Sequence, residues 1–135
     1  MRALIVDDDM ASRLLLERML ESIASCDSVS NGKVAIEAFV RALEKDAPYS
    51  LVCMDIVMPE MDGLTVLKAI RAKEDAMALR PSQAAKVVMT TALRDLDSVT
   101  NSYRELCDGY LVKPINRDGL LRLLGELGLL ADEHL

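Results

Sequence analysis

Tryptophan is absent from this chain, and three tyrosines and one phenylalanine are its whole aromatic complement. So few rings cannot form a stacking platform for nucleic-acid bases. A run of lysine and arginine is also missing, and the formal net charge is -6. No basic stripe for a phosphate backbone is visible, so nucleic acid is not expected as a partner. No apolar stretch approaches the roughly 20 residues of a membrane-crossing helix. The N-terminus, Met1-Arg2-Ala3-Leu4-Ile5-Val6-Asp7, turns acidic too early for a secretion signal. These features read as a cytoplasmic protein without a membrane partner. The three cysteines, Cys26, Cys53 and Cys107, have no metal-ligand spacing, and their odd number speaks against a disulfide framework. Cys53 lies within an apolar run and reads as a buried thiol. His134, the lone histidine, lies near the C-terminus and is assigned no role.

What the chain does have is aliphatic residue in quantity. Hydrophobic residues make up 51% of 135 positions, enough to fill the core of one domain spanning residues 1–135. Compact apolar runs alternate with longer amphipathic stretches. Ala3-Leu4-Ile5-Val6 runs into Asp7-Asp8-Asp9. Ser50-Leu51-Val52-Cys53-Met54 runs into Asp55. Lys86-Val87-Val88-Met89-Thr90 leads to Thr91, and Tyr110-Leu111-Val112 leads to Lys113-Pro114. A weaker strand candidate covers residues 26–30. Continuous apolar runs suit strands covered on both faces, as in a parallel sheet.

Helical spacing fills the intervals. Residues 10–24 place Leu15, Leu16, Met19, Leu20 and Ile23 on one face, with Asp9 as a capping residue. Residues 32–45 repeat the pattern with Ile36, Phe39, Val40 and Leu43, and residues 63–73 with Leu64, Leu67 and Ile70. Residues 95–106 offer Leu96, Val99, Tyr103 and Leu106, and a leucine-dense helix covers residues 117–130. Five strand–helix units in alternation predict an α/β fold, a doubly wound five-stranded parallel sheet with helices on both faces. Residues 73–85, which contain Pro81, read as a surface connection or extended helix plus loop.

Ligands of such sheets bind beyond the carboxyl ends of the strands. Asp7, Asp8, Asp9, Asp55, Thr91 and Lys113 all stand at predicted strand ends. Singly, each has an ordinary reading: a helix cap, a loop acid, a capping hydroxyl, a solvated lysine. Together they describe one polar edge. Crowded carboxylates repel unless something neutralises them. Mg²⁺ accepts a few carboxylates plus waters and phosphate oxygens. With the Lys113 ammonium and the Thr91 hydroxyl, that edge suits a phosphoryl group.

The sequence resembles the response-regulator receiver family. Leu4-Ile5-Val6-Asp7-Asp8, Met54-Asp55 followed by Met58-Pro59, Thr91-Ala92, and Lys113-Pro114 occur in the family's order. The resemblance spans nearly the whole chain and implies a flavodoxin-like strand order 2-1-3-4-5. It implies that Asp55 is the phosphoacceptor, that Asp8, Asp55 and the Val57 carbonyl bind Mg²⁺, and that Asp7 holds a metal-bound water. It further implies that Lys113 and Thr91 contact the phosphoryl oxygens, that Tyr110 is the aromatic switch, and that the bond to Pro114 is cis. The expected function is a phosphorylation-activated switch of a two-component system or phosphorelay. Its expected donor is a sensor histidine kinase or histidine phosphotransfer protein. It is expected to catalyse only its own phosphorylation and dephosphorylation.

No output domain is seen after the final helix, so the message is expected to pass by protein–protein contact, and a surplus face of that helix could pair two copies in a homodimer. Val57 and Leu93 are apolar where a polar side chain could orient an attacking water, which predicts a long-lived phosphoryl group. A competing reading is a small haloacid-dehalogenase-like phosphatase with Asp7 as nucleophile. Ala11 stands against it, occupying a place where that family has Thr or Val. A third reading, a receiver-like domain that binds partners without phosphorylation, conflicts with the complete set of acids, threonine and lysine.

Overall fold

The computed structural model describes residues 1–99 and 101–130. Five parallel strands, β1 (Arg2–Val6), β2 (Ser25–Val29), β3 (Leu51–Asp55), β4 (Lys86–Ala92) and β5 (Gly109–Lys113), form one sheet in the order β2-β1-β3-β4-β5. The helices are α1 (Met10–Leu20), α2 (Gly32–Glu44), α3 (Gly63–Ala76), α4 (Asn101–Leu106) and α5 (Arg117–Glu126). The predicted fold class and strand order are those observed. Among the described residues, no helix is long and apolar enough to cross a membrane.

Alternation along each strand sorts its side chains between two cores. Leu4, Val6, Val52, Met54, Val87 and Met89 pack with residues of α2, α3 and α4, while Ala3, Ile5, Leu51, Cys53 and Val88 pack with α1 and α5. Side chains of a strand point alternately to its two faces, so a covered strand needs apolar residues at every position. β3 meets that demand over its full length, with all five residues buried. Burial pushes the Cys53 thiol up to about 12, which keeps it protonated.

Several helix details depart from the periodic reading. Leu15 is 44% exposed, because α1 meets the sheet through the narrower Leu16–Leu20 stripe and Leu15 lies about 100° around the axis. On α2 the fully inward face is Ala35, Phe39 and Ala42, where small residues let the helix approach closely, and Ile36 and Leu43 flank it. β4 runs two residues past Thr90. The single helix expected over residues 95–106 is divided into a 3₁₀ segment, Leu93–Ser98, and the short α4. Asp95, Asp97 and Val99 are weak helix formers, and the first two compete for backbone hydrogen bonds. α3 continues to Ala76, and a 3₁₀ turn, Pro81–Gln83, leads back to β4. α5 ends at Glu126, short of the expected residue 130, because Gly128 takes φ 76°. His134 lies outside the described residues.

Candidate functional site

Two strand ends create the site. The Asp7 amide donates to the Val29 carbonyl (3.2 Å), which fixes Asp7 just beyond β1. Its side chain is 1% exposed. Asp8, the next residue, turns to solvent. Asp9 is occupied elsewhere: its carboxylate accepts from the Ser12 amide at 3.0 Å and the Ser12 hydroxyl at 2.8 Å, capping α1. Those bonds hold Asp9 below the usual carboxylate range. Asp55 closes β3 and is buried. One oxygen of each of Asp7, Asp8 and Asp55 lies within 4.8 Å of the others.

The turn after Asp55 is held by backbone. Ile56 donates to the Thr90 carbonyl and Gly63 donates to the Ile56 carbonyl, both at 3.0 Å. A Cβ on Gly63 would stand 2.6 Å from the Asp55 carbonyl oxygen. Only glycine lets α3 begin this close to the phosphoacceptor candidate. Strand and helix periodicity assigned no role to this residue.

Lys113 ends β5 and reaches across the sheet edge. Its Nζ donates to Asp7 Oδ2 at 2.9 Å and to Asp55 Oδ2 at 3.2 Å. The remaining Asp55 oxygen accepts the Val57 amide at 3.2 Å. Burial pushes the Asp55 carboxyl up, with the Lys113 ammonium opposing and the Asp7 charge adding to it. For Lys113, burial favours the neutral amine, but the hydrogen bond to Asp7 and the charges of Asp55 and Asp7 together hold it above its ordinary value. One ammonium therefore faces three carboxylates. The donors are oxygen only, partly exposed through Asp8, and under-neutralised, a set that fits a hard divalent cation with open positions for water or phosphate.

The remaining candidates surround this cluster without joining it. Thr91 is 1% exposed, and its hydroxyl donates to the Ala92 carbonyl at 3.2 Å. Tyr110 is 41% exposed on β5. The Lys113–Pro114 peptide is cis. Val57 and Leu93 are 54% and 71% exposed, so neither side chain forms a dry cover over Asp55. The expectation that they desolvate the site does not follow from this geometry. What does follow is that neither side chain carries a hydrogen-bonding group to offer water.

A family model described as "Response regulator receiver domain" matches residues 3–124. The chain is 32% identical over 124 residues to the chemotaxis protein CheY of Listeria monocytogenes, covering 92% of this chain and 95% of that one. It is 33% identical over 121 residues to the DNA-binding transcriptional regulator NtrC of Escherichia coli, covering 89% of this chain. That match takes in only 23% of NtrC. Among solved structures, it resembles the receiver domain of the Pseudomonas aeruginosa sensor histidine kinase PA1611, described with a magnesium ion coordinated in the active-site cleft. The TM-score is 0.73 and the identity 25%, over 94% of this chain and 97% of that one. It also resembles the receiver domain of Saccharomyces cerevisiae Ssk1, solved with the histidine phosphotransfer protein Ypd1. There the TM-score is 0.76 and the identity 26%, over 98% and 93% of the two chains.

Proposed function

The chain belongs to the response regulator receiver domain family, a family of phosphorylation-activated signalling switches, and from that premise we propose that Asp55 is its phosphoacceptor. The observation that carries this reading is the meeting of the Asp7, Asp8 and Asp55 carboxylates within 4.8 Å, with Lys113 bridging two of them. The match over residues 3–124 leaves the phosphatase alternative without support.

In this reading an Asp55 oxygen attacks the phosphorus of a phosphohistidine in line. The O–P bond forms as the P–N bond breaks, and the imidazole nitrogen keeps the electron pair and takes up a proton. Asp8, Asp55 and the Val57 carbonyl would hold Mg²⁺, and Asp7 would hold one of its waters. Bound there, the cation would spread the charge of the transferring group. Lys113 exchanges its bonds to Asp7 and Asp55 for a phosphoryl oxygen. The Thr91 hydroxyl, now bonded within its own strand end, turns to another. That turn vacates space beside β4, and Tyr110 moves inward from its exposed position. Such a change is a population shift biased by the phosphoryl group.

The proposed donor is a sensor histidine kinase or a histidine phosphotransfer protein; the Ssk1 receiver, similar to this chain, was solved with such a phosphotransfer protein. Output is assigned to protein contact on α4, β5 and α5, and a phosphorylation-dependent homodimer would use the same face. Incubation with acetyl phosphate and Mg²⁺ followed by intact-mass and peptide mapping tests the assignment. One phosphoryl group on the peptide holding Asp55, absent in Asp55→Asn, is the expected result. Label on Asp7, or undiminished label in Asp55→Asn, would overturn it. Sizing with and without beryllofluoride and Mg²⁺ reports on the homodimer.

A further inference from the structure

The first three amides of α3 each have a different acceptor. Gly63 donates to the Ile56 carbonyl at 3.0 Å, and Thr65 donates to its own N-cap, Asp62 Oδ1, at 2.9 Å. Between them, Leu64 donates to the hydroxyl of Tyr103 at 3.0 Å, a residue 39 positions downstream on α4, while the Asp62 carboxylate also lies near the same amide. Helix N-termini leave amides that need such partners, and most are satisfied from within a few residues. Here one partner comes from another helix.

This contact has a direct route to the site. Gly63 touches the Asp55 backbone so closely that an added Cβ would lie 2.6 Å from its carbonyl oxygen. The turn between them includes Val57, whose amide bonds Asp55 Oδ1. Tyr103 itself is 4% exposed and packed in the core shared by α2, α3 and α4. Burial pushes its phenol up, so it remains a neutral hydroxyl at physiological pH. A buried side chain has few alternative positions, so its hydroxyl marks a fixed point in space for the start of α3.

We propose that Tyr103 is a positioning residue for the phosphoacceptor turn: its hydroxyl anchors the start of α3 and so sets the backbone through Asp55 and Val57 in the geometry that receives a divalent cation. The inference rests on the reading of the acidic cluster as a cation site. It also makes α4 a partner in that site, because a coupling between two places acts in both directions.

The test is the affinity of the full chain for Mg²⁺, measured calorimetrically on folded protein, for wild type, Tyr103→Phe and Tyr49→Phe. Tyr103→Phe keeps the ring and its packing and removes only the hydroxyl. Loss of one neutral hydrogen bond corresponds to a roughly 2- to 10-fold change in an equilibrium, so affinity should fall by that factor. Tyr49 is an equally buried tyrosine whose hydroxyl bonds Asp27 in a separate cluster with Arg2, and Tyr49→Phe should bind Mg²⁺ like wild type. Equal affinity in wild type and Tyr103→Phe overturns the proposal, as does an equal loss in both variants. Absence of binding in wild type removes the cation-site reading as well, which separates that failure from the first. Hydrogen exchange on wild type gives a second measurement that needs no variant. Mg²⁺ should slow exchange at the Leu64 amide and along α4 together, and unchanged rates at Leu64 would count against the tie.

Discussion

Lys113 and Asp55 are 58 positions apart in the chain and share a hydrogen bond of 3.2 Å at the sheet edge. The same ammonium bonds Asp7 at 2.9 Å. Without a metal, Lys113 is the counter-ion of the cluster, and it occupies oxygens that a cation would otherwise approach.

Replacing Lys113 by Met should therefore separate two properties. Removing the competing positive charge should tighten Mg²⁺ binding roughly fivefold, about 1 kcal/mol, the scale of a partly solvated ion pair. Phosphoryl uptake should fall, since one group stabilising the transferred charge is gone. Calorimetric Mg²⁺ titration beside acetyl-phosphate labelling reads both. Weaker cation binding in Lys113→Met would contradict the competition.

Asp55 also sets a pH dependence. Burial raises its folded pKa above the ordinary 3.8, so the folded chain holds the proton more tightly than the unfolded chain. Its contribution to stability is fully present below the unfolded pKa and is lost as pH rises through the folded one. With metal chelated, Asp55→Asn should raise the urea midpoint at neutral pH, and the gain should fade as pH falls to 3.8 and below. A gain that persists unchanged in acid would assign the effect to something other than this carboxylate.

Val57, two residues past Asp55, has more than half of its surface in water and no polar side-chain atom to direct it, and Leu93 is likewise exposed and apolar. Val57→Asn should shorten the phosphoryl half-life at least several-fold by giving an attacking water a hydrogen-bond partner. Decay of labelled protein after removal of acetyl phosphate measures this directly. An unchanged half-life would show that water reaches the acyl phosphate without such help.

Four of the strands and the acidic edge were legible in the sequence because a strand covered on both faces needs an unbroken apolar run, and each of those four runs leads to a polar candidate for the site, whereas β2, Ser25–Val29, has no such run. Ala35 and Ala42 gave no such signal, since small residues face the sheet in α2 without raising its apolar periodicity. Leu15 misled for the opposite reason, being a leucine one step beyond the buried stripe. Gly63 meets chain that lies elsewhere in sequence, so no local period marks it, and the helical period that placed Tyr103 on an apolar face gave no sign of its hydroxyl's bond to Leu64. The division of residues 95–106 was foreshadowed by the weak helix formers Asp95, Asp97 and Val99 within an otherwise amphipathic stretch.

Arg71 also has long-range partners, and its role is structural. Its guanidinium donates to Glu74 at 2.6 Å, to the carbonyls of Leu106 at 2.8 Å and Ala85 at 2.9 Å, and to Asp108 at 2.9 Å. Glu74 is 5% exposed and also accepts the Ala85 amide at 2.7 Å. This clasp ties the end of α3 to the start of β4 and to the approach to β5, and so anchors the connection over residues 73–85. Arg71→Met leaves Glu74 buried without its cation and should lower stability by about 3 kcal/mol, near the lower end for breaking a buried pair because Arg71 keeps some solvent access. Adding Glu74→Gln removes the stranded charge but keeps an acceptor for Ala85. The double variant should then be more stable than Arg71→Met alone, a coupling that urea melts of the full cycle would measure. Phosphoryl uptake at Asp55 should be unchanged in both wherever they are folded, since the clasp has no bond to the acidic cluster. A double variant no more stable than Arg71→Met would mean that the other guanidinium contacts, to Leu106, Ala85 and Asp108, carry the clasp instead.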